Sequence, residues 1–146
     1  MAEGGRQLFC RLITPERVVY DGEADLVVAK IADGEIGVMV DHYPVISTVD
    51  FWDVRITRGD ERRIYATSDG FFKVADNLVQ ILVEEAIPAA EINVEEAEHR
   101  IEQAERELSE LPEEEDEESR RAREEISRRV RLGENLVRVA RKYGGG

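Results

Sequence analysis

The 146-residue chain is short of the side chains on which enzymes most often rely. It holds one cysteine, two histidines and one tryptophan. A single cysteine forms no disulfide within the chain. Leu8, Cys10 and Leu12 alternate as one face of a strand does, which makes Cys10 a buried core thiol rather than a nucleophile. His42 and His99 lie far apart in sequence. No Cys/His cluster has metal-ligand spacing, no glycine loop with its lysine cradles a phosphate, and no nucleophile is paired with a base. Catalysis, a metal site and a cofactor are therefore not expected of this chain. No apolar run reaches the ~18 residues that span a bilayer, and the first five residues do not resemble a signal peptide. Positive charge is also scarce, with 20 Lys and Arg against 33 Asp and Glu and a net charge of −13. That balance argues against nucleic acid as a partner and against direct insertion into or adsorption onto anionic lipid. The expectation is a soluble intracellular chain that only another protein could hold at a membrane.

What the chain does have is an orderly first half. From residue 6 to about 86, short apolar or alternating runs recur at 7–13, 18–20, 24–31, 37–40, 45–49, 52–58, 63–68, 71–75 and 78–84. Turn residues separate them at Asp33-Gly34, Gly59-Asp60, Asp69-Gly70 and Asp76-Asn77. Many short strands at this spacing indicate a sandwich or a barrel. Every aromatic residue except Tyr143 falls here, as a core requires. Arg58-Gly59-Asp60 matches an adhesion tripeptide, but in this setting it reads as a hairpin tip.

After Pro88 the apolar period changes from two to three or four. Asn93 is placed to cap a helix, with Glu96 three residues on to complete a capping box. Val94, Ala97, Ile101, Ala104, Leu108 and Leu111 then form one seam, and Pro112 ends it. Residues 113–118 are an acidic loop, and Ser119 is a candidate cap for a second helix. That helix carries Ala122, Ile126, Val130, Gly133, Val137 and Ala140 on one side, widened by Leu132, Leu136 and Val139. Residues 91–118 carry a net −12 and residues 119–146 a net +6. Complementary faces of a folded hairpin account for this split, and so does a basic arm that leaves for an acidic surface elsewhere.

The stretch from Asp33 to Val45 is the most distinctive. Gly34-Glu35-Ile36-Gly37-Val38, then His42-Tyr43-Pro44-Val45, looks on its own like a tight turn, an apolar strand 38–40 and a second fixed turn. Thr14-Pro15-Glu16 with Tyr20-Asp21-Gly22 precedes it. Asp69-Gly70-Phe71-Phe72-Lys73-Val74 and Leu78-Val79-Gln80-Ile81-Leu82-Val83-Glu84-Glu85-Ala86 follow it. Together these runs resemble the epsilon subunit of F-type ATP synthases, called delta in mitochondria, over nearly the whole chain.

The resemblance implies an α+β architecture: an N-terminal β-sandwich of two five-stranded sheets over residues 1–87, then an antiparallel α-helical hairpin over 88–146. It implies a non-catalytic rotor subunit of the proton-translocating synthase, at the cytoplasmic face of the bacterial cell membrane. The implied partners are the gamma subunit, the c-subunit ring and the alpha and beta catalytic subunits. Glu35 and His42 carry over as contacts to polar loops of the ring, with Val38, Met39 and Pro44 shaping that surface. Arg120, Arg121, Arg123, Arg128, Arg129 and Arg131 carry over as the arm that blocks ATP hydrolysis when the tail extends. Some bacterial relatives bind ATP through [Ile/Leu]-Asp-x-x-Arg-Ala at the start of the first helix. Here Asn93 and Glu96 replace the aspartate and the arginine, so ATP binding is not expected. Two rival readings remain: a free-standing sandwich with a coiled-coil tail for another partner, and a small enzyme using Asp41 and His42. The second is weak, because adjacent residues on a strand point to opposite faces.

Overall fold

A computed structural model describes residues 6–114 and 116–144, which divide between two compact units, Met1–Pro88 and Ala89–Gly146. The first unit holds ten strands: β1 Leu8–Ile13, β2 Val18–Ala24, β3 Leu26–Ile31, β4 Gly34–Val38, β5 Val45–Val49, β6 Trp52–Arg58, β7 Glu61–Thr67, β8 Gly70–Ala75, β9 Leu78–Val83 and β10 Ala86–Pro88. They form two runs of five, β10-β7-β6-β3-β4 and β5-β8-β9-β1-β2. The runs meet through a single residue pair, Ile31 with Val49. This is the sandwich of two five-stranded sheets. Neighbours are antiparallel except β1 and β9, which run parallel from Phe9–Leu78 to Ile13–Leu82.

Alternation explains the core. Leu8, Cys10 and Leu12 turn inward from β1, Phe72 and Val74 from β8, and Val79, Ile81 and Val83 from β9. Val27, Ala29, Val38, Val54, Ile56 and Tyr65 come from the other run. Fully burying each of the larger side chains stabilises the fold by about 1.5–3 kcal/mol. Cys10 has no exposed surface, and burial, followed by the nearby charge of Asp21, pushes its thiol pKa up to about 12. It is a small apolar side chain in practice.

Several local expectations need correction. Gly34-Glu35-Ile36-Gly37 is not a loop; it is strand β4, and Ala32 and Asp33 make the turn before it. The apolar run does not continue the strand to residue 40, since β4 stops at Val38. The long apolar stretch 24–31 breaks at Asp25, which separates β2 from β3. The tenth strand, Ala86–Pro88, was not read from the sequence; it is short and pairs only with Tyr65–Thr67 of β7. Proline has no N–H to give a ladder, so it is tolerated at such an edge. Arg58-Gly59-Asp60 is a hairpin tip, with Gly59 at φ +60 between β6 and β7.

In the second unit, α1 spans Val94–Glu110 and α2 spans Glu117–Tyr143. Asn93 Oδ1 accepts the Glu96 amide at 3.0 Å and caps α1. The cap of α2 is Asp116 rather than Ser119: its Oδ1 accepts the Ser119 amide at 2.7 Å, and the helix already begins at Glu117. That bond holds the Asp116 carboxyl below its ordinary range. Within a run of acids, an aspartate beside a future helix takes the cap, because its ionised oxygen complements the helix N-terminus. The helices run antiparallel, as the pairs Glu98–Arg141 and Glu107–Arg129 require. They pack tightly at Gly133, where an added Cβ would lie 2.5 Å from Ile101 Cγ1.

Candidate functional site

Glu35 sits on β4, opposite Lys30 of β3. Its carboxylate is already engaged. Trp52 Nε1 donates to Oε2 at 2.8 Å, and Arg55 reaches both oxygens, Nη1 to Oε2 at 3.2 Å and Nη2 to Oε1 at 3.3 Å. Arg55 Nη1 also donates to Asp53 Oδ2 at 2.7 Å, and Asp53 has no exposed surface. Burial alone would lower the guanidinium pKa; hydrogen bonds to Glu35 and Asp53 outweigh it and raise the pKa above the ordinary arginine value. Lys30 Nζ lies 4.2 Å from the Trp52 ring centroid. Only the Glu35 end of this cluster is well exposed, with 42% of its side-chain surface open against 18% for Arg55.

The corner at 39–44 lies at the other end of β4. Met39 is 61% exposed and Tyr43 71% exposed, and Pro44 is exposed as well. His42 stacks on Tyr43 with ring centroids 4.5 Å apart, and its Nδ1 lies 2.7 Å from the Tyr43 carbonyl oxygen. Asp41 fixes the corner, accepting from Arg6 Nη1 at 2.8 Å and Asn77 Nδ2 at 3.2 Å. Glu35 and Met39 are four residues apart on nearly extended chain, roughly 13 Å. Val38 is not part of that surface: it has no exposed area and belongs to the core.

A further feature, absent from the sequence reading, lies on the outer face of the β5-β8-β9-β1-β2 run. Ile46 is 80% exposed, Phe71 67%, Leu82 46% and Phe9 45%. Phe71 and Leu82 are directly paired, and Leu82 is paired again with Ile13. Alternation could have found this row, since inward Phe72, Val74, Val79 and Ile81 force Phe71 and Leu82 outward. Adjacent exposed apolar side chains of this size mark a surface that another protein covers.

Several arginines of α2 are bound within their own unit in this structure. Arg129 grips Glu107 with Nη2 to Oε1 at 2.6 Å and Nη1 to Oε2 at 3.3 Å. Arg123 donates to the carbonyls of Pro112 at 3.3 Å and Glu114 at 3.2 Å. Arg121 pairs with Glu117 at 3.1 Å along the helix. Arg120, Arg128 and Arg131 lie on the same helix. Around the start of α1, Asn93, Glu95, Glu96, Glu98, His99 and Glu102 line an open groove. Its carboxylates would repel a triphosphate. Among the described residues, no three His, Cys, Asp or Glu are placed to hold a metal ion, and no helix is long and apolar enough to cross a membrane.

Residues 7–89 match the ATP synthase delta/epsilon chain beta-sandwich domain. The ATP synthase epsilon chain of Rubrobacter xylanophilus is 93% identical over 146 residues, the full length of both chains. The epsilon chain of Propionigenium modestum, described as sodium ion specific, is 31% identical over 127 residues, which cover 86% of this chain and 93% of that one. A chain in the Euglena gracilis mitochondrial ATP synthase (OSCP/F1/c-ring in rotational state 1) shares the fold at a TM-score of 0.69, with 21% identity over 93% of this chain and 84% of that one. A sandwich of this topology, a capped helical hairpin after it and full-length identity at this level leave one assignment: the chain belongs to the ATP synthase epsilon-chain family.

Proposed function

We propose that this chain is the non-catalytic central-stalk subunit that joins gamma to the c ring of an ATP synthase and carries torque between them. The observation that carries the reading is the paired, exposed Phe71 and Leu82, with exposed Ile46 diagonal to Phe71, an apolar surface that suits gamma. Glu35, at the far end of β4, suits a polar loop of the ring. His42, in the exposed corner at the other end of β4, suits the same ring surface, with Met39 and Pro44 beside it. The chain would work at the cytoplasmic face of the bacterial membrane, held there by these partners.

The helical unit is the regulatory part of this proposal. In its compact form Arg123 and Arg129 are paired locally. Extension would release these two, and with Arg120, Arg121, Arg128 and Arg131 they would meet acidic segments of the beta subunits and block hydrolysis. Exposed pairs contribute only ~0–1 kcal/mol each, so exchanging one set for another costs little. Nucleotide would not set the balance, since Asn93 and Glu96 at the start of α1 offer a triphosphate no cation.

Two experiments test the proposal. Tagged chain purified from its own membranes should bring down gamma, alpha, beta and the c ring; recovery of none, with the synthase intact, would overturn the stalk role. Deleting 89–146 should raise ATP hydrolysis by the assembled enzyme. The cut belongs after Pro88, because β10 completes the sandwich edge against β7. An unchanged rate would remove the inhibitory role and leave the stalk role standing.

A further inference from the structure

The Glu35 carboxylate is preset rather than free. Trp52 and Arg55 approach it from β6, a strand whose contacts with Glu35 come from 17 and 20 residues away in sequence. Arg55 is fixed in turn by Asp53, whose side chain is wholly buried. The order of burial runs from Asp53 at 0% exposed, through Arg55 at 18%, to Glu35 at 42%. A fully buried carboxylate anchors the guanidinium, the guanidinium forks onto both Glu35 oxygens, and the indole N–H fixes the rotation that the fork leaves. Lys30 of β3, the strand between β4 and β6, is paired with Glu35 and places its ammonium over the Trp52 ring.

We propose that Trp52 and Arg55 are positioning residues that hold Glu35 in one orientation for docking onto a partner loop rich in hydrogen-bond donors. The inference rests on the reading that Glu35 meets the ring, and it adds how that contact is made specific. Arg55 offsets part of the Glu35 charge while Asp53 shares the same guanidinium, so the clamp adds direction more than charge. A directed carboxylate selects peptide N–H or hydroxyl donors over a lone ammonium. A pre-oriented side chain also gives up less rotamer entropy on binding.

The chain has one tryptophan, so its indole reports on the clamp without added labels. In the full-length chain, Glu35→Ala should shift the single indole N–H resonance and leave the melting temperature close to that of the wild type. Rebinding to membranes stripped of this subunit is the second readout. Glu35→Ala and Trp52→Phe should each weaken binding, Trp52→Phe by roughly tenfold, the scale of one lost directed hydrogen bond. The double variant should be no weaker than Glu35→Ala alone, because Trp52 acts through Glu35. Arg55→Lys, which keeps a partner for Asp53, should fall between wild type and Glu35→Ala. Additive losses, or an indole resonance that Glu35→Ala does not move, would overturn the positioning role. Wild-type binding by Glu35→Ala would instead overturn the docking of Glu35 itself, and the positioning role with it.

Discussion

Asp41 and Asn77, thirty-six positions apart, hold each other in left-handed backbone: Asn77 Oδ1 accepts the Asp41 amide at 2.6 Å, and Asn77 Nδ2 donates to Asp41 Oδ1 at 3.2 Å. Their φ angles are +66 and +61. This exchange ties the 39–44 corner to the turn between β8 and β9, and the Asn77 carbonyl also accepts the Phe9 amide at 2.8 Å. Left-handed backbone costs an ordinary residue about 1–2 kcal/mol, which asparagine and glycine largely avoid. Asn77→Ala should therefore destabilise the sandwich by roughly that amount through the backbone alone. Asn77→Gly should restore most of the melting temperature but not the protection of the Asp41 amide from hydrogen exchange. Equal protection in Asn77→Gly and wild type would mean the side-chain bonds do not hold the corner.

The same bonds predict a pH dependence. Asn77, then Arg6, hold the Asp41 carboxyl below its ordinary value of 3.8. A depressed pKa stabilises the fold above the unfolded value, and the contribution fades as pH falls through the lower folded value. The corner should thus keep its amide protection from neutral pH down to about 4 and lose it in more acidic solution. Asp41→Asn removes the titrating group, so this acid step should vanish from its exchange profile. An acid step that persists unchanged would assign the loosening to another carboxylate.

Gly133 sets how closely the two helices approach. Alanine inside a helix is usually better than glycine by about 1 kcal/mol. Here its Cβ would lie 2.5 Å from Ile101 Cγ1 and 3.4 Å from the Ala97 carbonyl oxygen. Overpacking of this kind costs about 1–3 kcal/mol, so the contact outweighs the propensity gain. Gly133→Ala should lower the thermal stability of the helical signal in circular dichroism. Shortening Ile101 to alanine in the same chain should recover part of it. A more stable Gly133→Ala alone would show that the helices separate at no cost.

The readings that held depended on neighbours in sequence. Asn93 caps the amide three residues ahead of it, and Leu8, Cys10 and Leu12 share a face whatever lies opposite. Gly34-Glu35-Ile36-Gly37 was legible as a distinctive string but not as a strand. Glycines serve turns and closely approached strands alike, and what makes this one a strand is its pairing with Val28 to Ile31. The Glu35 clamp was out of reach for the same reason. Asp53 and Arg55 alternate onto one face, yet nothing local says that this face meets β4. Ser119 lost the cap to Asp116 because a row of acids hides which one stands at the helix start. Val38 carries over from the resemblance as a surface residue, yet it faces the core at the end of β4 while Met39, just past the strand, is exposed.

The fork between Glu107 and Arg129 bears on stability and, under the proposed inhibitory role of α2, on ATP hydrolysis. It joins α1 to α2 with its shorter bond at 2.6 Å, and about two-fifths of each side chain stays exposed, 39% for Arg129 and 42% for Glu107. That exposure discounts its strength, so a double-mutant cycle with Glu107→Gln and Arg129→Gln should give a coupling of roughly 0.5–1 kcal/mol. The coupling should shrink in high salt, where exposed pairs are screened. In the assembled synthase the two single variants should then part company. Glu107→Gln loosens the compact hairpin and leaves Arg129 available, so ATP hydrolysis should fall. Arg129→Gln loosens the hairpin equally but removes one of the proposed inhibitory cations, so hydrolysis should fall less or rise. Identical hydrolysis rates in the two variants would show that Arg129 matters only to the fold of the hairpin.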